Sequence, residues 1–403
     1  MSKIKIEKFI LDSGERYCVI TNKGTGIPLY YANLYLTTQV RNNGHAISSI
    51  ESKAVNISLF YRFLEKNNID IEKNILSGMF LSAADIDRLV INIGMTSEFR
   101  DSVNHSSGYV SKRTLRNRLN SIIAYLSWLS EELLQYAFSK YERYFYKMIK
   151  SIEERRPRCH GSKNIEGDQD KTLSNRAVDV IMKMIDPQSP TNPFKPIVRN
   201  RNAIMILILS ELGIRGGELL NIKIEDINFQ KKRLYIRRRA DEISDPRLNQ
   251  PLVKTLGRAL SLSDGLASKL MDYIIYERKF FSKGKTGFLF VTYKSGPTQG
   301  KPLSISGYHK IITKIGGCDS LLEGLSGHKL RHTWNYNFSR LMDSQNVSES
   351  EQEKMREKLM GWKEGSGTAS TYNKRFIEEK ADEASIRYQK RFNRRNIGGE
   401  GDE

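Results

Sequence analysis

The sequence predicts a mainly α chain with a small β-sheet, divided into two domains by a polar linker. Three observations carry that reading. Apolar residues recur at helical spacing through residues 46–150 and again beyond Thr172. Residues 153–171 hold almost no apolar side chain and mix Pro, Gly and both charges, as an interdomain linker does. With 403 residues, 39% of them hydrophobic, the chain has the material for two or three packed cores.

Charge narrows the partner. Lys and Arg number 65 against 46 Asp and Glu, a formal charge of +19. Residues 171–403 hold 41 basic and 27 acidic side chains, residues 1–170 only 24 and 19. Scattered surface lysines are the plain alternative, but the net excess lies mostly in the second half, so a polyanionic partner is expected there. Cys18, Cys159 and Cys318 are far apart and odd in number, which suggests neither disulfides nor a zinc site and fits a reducing cytoplasm. The apolar run Ala203–Leu212 is too short to span a membrane, and Met-Ser-Lys-Ile-Lys-Ile is no signal peptide. A soluble intracellular protein without membrane contact is expected.

Taken in order, residues 4–36 read as a small β element with a turn at Asn22–Pro28, so residues 1–45 are expected to form a β-rich arm, either binding or decorative. Residues 46–152 read as a helical unit. Ser48 or Ser49 caps a helix ending near Asn67, and Ser82 starts another with Asp85 and Asp87 in its first turns. A third runs from Tyr109 with Leu115, Leu119, Ile122, Ile123, Leu126 and Leu129 as its buried stripe. Lys112, Arg113, Arg116 and Arg118 crowd its first turns, either as a solvated face or as phosphate contacts beside Ser111 and Thr114. A helix through Tyr136–Ile152 closes this unit, and Arg155, Arg156 and Arg158 open the linker with charges able to track a nucleic-acid backbone.

The second domain is expected over residues 172–392, with a tail over 393–403. Thr172 or Ser174 caps a helix to about Met184, and Arg199–Leu212 is an apolar helix broken by Gly213. Strands are expected at Arg233–Arg239 and Leu252–Leu262, helices at 264–279 and 304–315, and a short strand or helical turn at Phe288–Val291.

Chemistry is concentrated here. Moving a phosphodiester without a metal calls for guanidinium forks on the non-bridging oxygens, a donor to the leaving alkoxide and a nucleophile. Arg215 follows the apolar helix at a glycine-rich turn. His328 and Arg331 stand at i, i+3 on one helix face. Tyr372 lies on a Gly/Ser/Thr-rich approach. Each is individually ordinary: a lone arginine is usually a surface residue, and Tyr372 is one of 19 tyrosines.

Together the motifs say more. Glu-Leu-Gly-Ile-Arg215-Gly-Gly-Glu-Leu-Leu-Asn-Ile, His328-Lys-Leu-Arg331-His-Thr, and Leu-Met-Gly-Trp362 followed by Thr-Tyr372 resemble, in order and approximate spacing, the boxes of the tyrosine recombinase (phage integrase) family. Leu252-Val-Lys254-Thr-Leu-Gly-Arg-Ala-Leu-Ser-Leu resembles that family's β-hairpin with its catalytic lysine. The resemblance covers roughly residues 172–390; the helical unit matches the family's core-binding domain in position and pattern only.

The resemblance implies a two-domain DNA clamp, a helical core-binding domain plus a mixed α/β catalytic domain, that recombines double-stranded DNA at specific sites. Tyr372 would attack the scissile phosphate, Arg215 and Arg331 would clamp its oxygens, and Lys254 would protonate the leaving 5′-oxygen. His328 would support proton transfer and Trp362 would donate its indole N–H. No cofactor or metal is implied. A homo-oligomer is, with a dimer at each site and a tetramer in synapsis, and DNA-bending or co-encoded proteins as accessory partners in a bacterial cytoplasm. Trp362 stands where a histidine is commoner; it keeps an N–H but cannot carry a proton. The polar segment Ser344–Lys358 lengthens the interval before it, as an elongated helix or a loop. Glu218 is placed to orient Arg215, His332 reads as packing, and Arg247 and Arg258 flank Lys254 as rival basic groups. The charged helix Arg375–Phe392 would dock on a neighbouring protomer or pack on its own. A type IB topoisomerase and a non-catalytic DNA-binding relative are the alternatives.

Overall fold

The computed structural model describes residues 3–96, 108–158, 172–282, 284, 286–365 and 380–391. The chain divides into two compact units, Met1–Ser162 and Lys163–Glu403, each with its own core.

In the first unit, β1 (Ile4–Ile10) and β2 (Arg16–Asn22) form an antiparallel hairpin with Ile4 opposite Asn22. The β reading of residues 4–36 fails beyond this point. Tyr30–Tyr35 is an α-helix and Leu36–Arg41 a π-helical turn. The side chain of Asn33 supplies the reason: its Oδ1 accepts the Ile20 N–H at 2.8 Å and its amide donates to the carbonyls of Ile20 and Leu29. A helical side chain thus meets backbone groups that a third strand would otherwise take. Ile4, Cys18 and Ile20 bury in one core with the helices Ile47–Lys66, Lys112–Leu134 and Phe138–Glu154.

Several helix starts follow local chemistry. Ser82 caps Ala83–Gly94 in a reciprocal box with Asp85, and Ser111 caps Lys112–Leu134 by accepting the Thr114 N–H. The helix expected at Ser48 or Ser49 begins instead at Ile47 behind Ala46, so neither serine caps it. Leu119, Ile122, Leu126 and Leu129 are buried as expected, with Leu115 and Ile123 half-buried against the same core.

In the second unit, Ser174 rather than Thr172 caps Asn175–Ile185, and Pro196 opens the apolar helix Pro196–Leu212. The sheet has three antiparallel strands in the order β3 (Ile227–Asn228), β4 (Arg233–Ile236) and β5 (Arg258–Ser261). The expected strands at 233–239 and 252–262 are therefore each cut to four residues. The connection between them is occupied by side chains: Arg239 pairs with Asp226 and Glu225, and buried Arg247 pairs with Asp245. Phe288–Val291 is neither strand nor helical turn; it makes isolated bridges from Phe288 to Lys223 and from Val291 to Pro302. The remaining helices are Asp264–Asp272, continued by a π-helical turn and Lys279–Ser282, then Ile305–Gly316, Gly327–Ser344 and Glu349–Met360. The polar segment after Ser344 is thus a second helix, begun by a capping box of Ser348 and Glu351 after a turn with Asn346 at φ +56°. Residues 380–391 are helical and exposed throughout. Among the described residues no helix is long and apolar enough to cross a membrane.

Candidate active site

Arg215 owes its position to two backbone devices. Gly213 ends the apolar helix at φ +60°, in the left-handed region, and a Cβ there would come within 2.7 Å of the Trp334 ring. Arg215 then takes the N-cap position of the short helix Gly216–Leu220, with its backbone N–H donated to Glu218 at 3.2 Å. Its Nη1 lies 3.5 Å from the same carboxylate. Glu218 therefore does orient Arg215, but it does more. Its buried side chain also accepts from the Thr255 hydroxyl at 2.7 Å and from Arg258 Nη2 at 2.8 Å. Burial pushes the Glu218 carboxyl up, and the Arg258 charge, these bonds and the field of Arg331 overcome it, leaving the group below its ordinary range.

Arg331 sits on the helix Gly327–Ser344 and is 1% exposed. Its Nη1 donates to the Gly213 carbonyl at 2.8 Å and its Nη2 to the Met360 carbonyl at 3.3 Å. Its guanidinium also lies 5.5 Å from the centroid of the Trp362 ring. One side chain thus ties the turn before Arg215 to the turn before Trp362. His328 stands one turn earlier, in the first turn of the helix that Ser326 caps, with its ring 5.5 Å from that of His332. Its pKa is held below 6.5 by burial first and then by the charges of Arg215 and Arg331. Half-buried His332 packs edge to face against His328, in keeping with a packing role.

Trp362 is buried beside Met360, Leu359 and Trp334. Gly361 sets it there, ending its helix at φ +65° and accepting the Leu256 N–H at 2.9 Å. Lys254 is exposed, two residues from this contact, in the irregular stretch before β5 and not on a strand. Its two rivals are otherwise engaged. Arg247 bonds Asp245 and the carbonyls of Leu220 and Leu303, while Arg258 bonds Glu218, Thr255 and the Leu359 carbonyl. Sequence reasoning missed Thr255 as a partner of Glu218; its place beside Lys254 was the one available signal. Tyr372 and the start of the helix expected at Arg375–Phe392 lie outside the described residues.

The basic residues expected to touch DNA divide. Lys112 and Arg113 are exposed and Arg116 half-buried on the helix that Ser111 caps, and Arg158 is exposed. Arg118 folds back to donate Nη1–H to the Met95 carbonyl at 3.2 Å and to that of Ile93, so it closes the end of a neighbouring helix rather than facing a ligand. Arg155 pairs with Asp87, and Arg156 with Glu153 and Asn120. Residues 159–171, the rest of the expected linker, lie outside the described residues.

Residues 172–379, a span that includes Arg215, Lys254, His328, Arg331, Trp362 and Tyr372, match the sequence profile of the phage integrase family. The chain belongs to the phage integrase family. As a tyrosine recombinase it cuts and rejoins DNA. It is similar to transposase A from transposon Tn554 of Staphylococcus aureus, 23% identical over 303 residues that cover 72% of this chain and 75% of the relative. Its fold is shared with XerH site-specific recombinase in a post-cleavage complex with palindromic difH substrate, at a TM-score of 0.51 and 18% identity, covering 85% of this chain and 80% of that one. A pre-cleavage XerH complex with difH gives the same TM-score at 17% identity, covering 87% and 83%. This phage integrase family member is thus two-domain and mainly α with a small sheet, as its sequence predicts.

Proposed function

We propose that the chain is the site-specific recombinase of a mobile element, using Tyr372 to attack one phosphate of double-stranded DNA. The attack breaks the bond to the 5′-oxygen, forms a 3′-phosphotyrosyl link and frees a 5′-hydroxyl. Arg331 carries this reading. By joining the Gly213 and Met360 carbonyls it ties together the turns that lead into Arg215 and Trp362, one helical turn from His328, and this supports a shared site.

Roles follow from chemistry. Arg215 and Arg331 take up charge on the non-bridging oxygens, where fixed cations are worth most in the transition state. Lys254, exposed and outside the ion-pair network, delivers a proton to the leaving 5′-oxygen. His328, its pKa lowered by burial first and then by the charges of Arg215 and Arg331, accepts the proton of the tyrosine hydroxyl. The Trp362 indole N–H steadies a phosphate oxygen. Because the ester survives as phosphotyrosine, a second 5′-hydroxyl reverses the step without ATP or a metal.

Lys112, Arg113, Arg116 and Arg158 supply phosphate contacts that position the duplex. The helix at 380–391 is exposed on every side, with Ile386 at 51% and Tyr388 at 71%, and this supports docking on a neighbouring protomer within a DNA-bound tetramer. The similarity to a transposase supports a mobile element, which would place the protein with bacterial DNA in the cytoplasm.

The test is covalent capture. Nicked duplexes carrying the sequences that flank the gene are incubated with protein and resolved under denaturing conditions. A site-dependent protein–DNA adduct is expected. Absence of any adduct would contradict the reading, and supercoil relaxation without a preferred site would favour a topoisomerase.

A further inference from the structure

We infer that Thr255 and Arg258 are positioning residues for Lys254, acting through the buried carboxylate of Glu218. The inference rests on the reading above, in which Lys254 protonates the leaving 5′-oxygen.

Lys254 has a flexible side chain on a backbone without strand pairing, since β5 begins only at Arg258. Such a backbone would leave the ammonium poorly placed. Instead it is fastened on both sides. Before Lys254, the Pro251 carbonyl accepts from Asn221 at 2.6 Å. After it, Thr255 donates to Glu218 Oε1 at 2.7 Å and Leu256 N–H donates to the Gly361 carbonyl at 2.9 Å. Arg258 locks the arrangement, giving Nη1 to Thr255 Oγ1 at 3.1 Å, Nη2 to Glu218 Oε2 at 2.8 Å and Nε to the Leu359 carbonyl at 2.5 Å. The stretch also presses against the Arg215 turn: a Cβ on Gly217 would sit 2.8 Å from the Leu252 carbonyl oxygen.

One carboxylate is therefore shared. Glu218 holds the Arg215 N–H on one side and the Thr255 hydroxyl on the other. The Thr255 oxygen must donate and accept at once, which a hydroxyl does and a methyl does not. The phosphate clamp and the proton donor are thus mounted on a common group, and the same piece reaches the Trp362 turn through Leu359 and Gly361. Loss of Thr255 would leave Arg215 in place and release Lys254.

A duplex with sulfur in place of the bridging 5′-oxygen separates these effects, because a thiolate leaves without needing a proton. Single-turnover cleavage is measured for wild type, Thr255→Val, Thr255→Ser, Arg258→Lys and Lys254→Ala on oxygen and sulfur versions of the captured nicked duplex. Thr255→Val is expected to slow the oxygen substrate by about tenfold to a hundredfold, the factor equivalent to one hydrogen bond to a charged group. On sulfur it should cleave near the wild-type rate, with Thr255→Ser close to wild type on both and Arg258→Lys following Thr255→Val. Binding of the duplex at wild-type affinity verifies folding; should Thr255→Val fail that check, Thr255→Ala carries the same comparison. If Lys254→Ala is rescued by sulfur while the Thr255 variant is equally slow on both substrates, or slow on neither, the positioning role is overturned. If Lys254→Ala is not rescued, the proton-donor role of Lys254 falls instead, and the inference with it.

Discussion

Arg331 Nη1 donates to the carbonyl oxygen of Gly213 at 2.8 Å across 118 residues of chain. The bond makes a candidate phosphate ligand part of the frame, since the same guanidinium also holds the Met360 carbonyl. Lysine cannot span both acceptors. Arg331→Lys is expected to bind DNA nearly as wild type but to form covalent adduct slower by about a hundredfold to a thousandfold, the usual cost of one preorganised donor. Arg331→Ala should in addition lower stability by roughly 1–3 kcal/mol for each carbonyl left without a partner. Adduct kinetics beside denaturant unfolding checks both.

Glu218→Gln should also damage the fold. It leaves the Arg258 guanidinium, 5% exposed, beside a neutral amide, and breaking such a buried pair costs about 3–5 kcal/mol. The pH dependence has a definite sign. The Glu218 carboxyl is depressed below 4.5 in the folded state, so its contribution is fully present above pH 4.5 and is lost as pH falls through the folded value. Chemical unfolding between neutral pH and pH 3 should show this acid loss in wild type, and a smaller one in Glu218→Gln. Equal slopes would contradict the assignment.

His328 should be neutral at pH 7. Burial and the charges of Arg215 and Arg331 hold its pKa below 6.5, so protonation costs stability as pH falls past 6.5. The acid limb of the cleavage rate is expected below that value, and imidazole NMR signals should titrate there. Arg215→Ala should move the His328 titration upward; no movement would show that the two do not interact.

Gly361→Ala tests the joint between the Lys254 stretch and Trp362. Its φ of +65° disfavours any side chain, and a Cβ would come within 2.7 Å of the Leu256 carbonyl oxygen. The left-handed conformation alone should cost about 1–2 kcal/mol, with a further loss from the displaced Leu256 bond. Thermal unfolding gives the first effect. A fall in adduct formation beyond the loss of folded protein gives the second.

What could be read in the sequence was local or carried by spacing. Ser82, Ser111 and Ser174 mark helix starts because capping involves only the next three residues. His328 and Arg331 share a face because helical geometry requires it. The family match likewise follows from boxes visible in order. What could not be read depends on contacts between distant segments. Asn33 occupies the Ile20 backbone groups and replaces a strand with a helix. Arg118 is taken by two carbonyls more than twenty residues away in sequence, which no charge pattern reveals. Glu218 looks in sequence like a partner for Arg215, and only folding brings Thr255 and Arg258 to it. The irregular stretch before β5 belongs to the same class, because side-chain pairing there displaces strand pairing.

The central claim is that Tyr372 is the nucleophile served by this set of cations. Adduct trapped on a nicked duplex is digested with nuclease and trypsin, and the nucleotide-bearing peptide is mapped by mass spectrometry. A phosphodiester link on Tyr372 is expected, with Tyr372→Phe binding the duplex normally and giving no adduct. A link on any other residue, or adduct formation by Tyr372→Phe, would contradict the account.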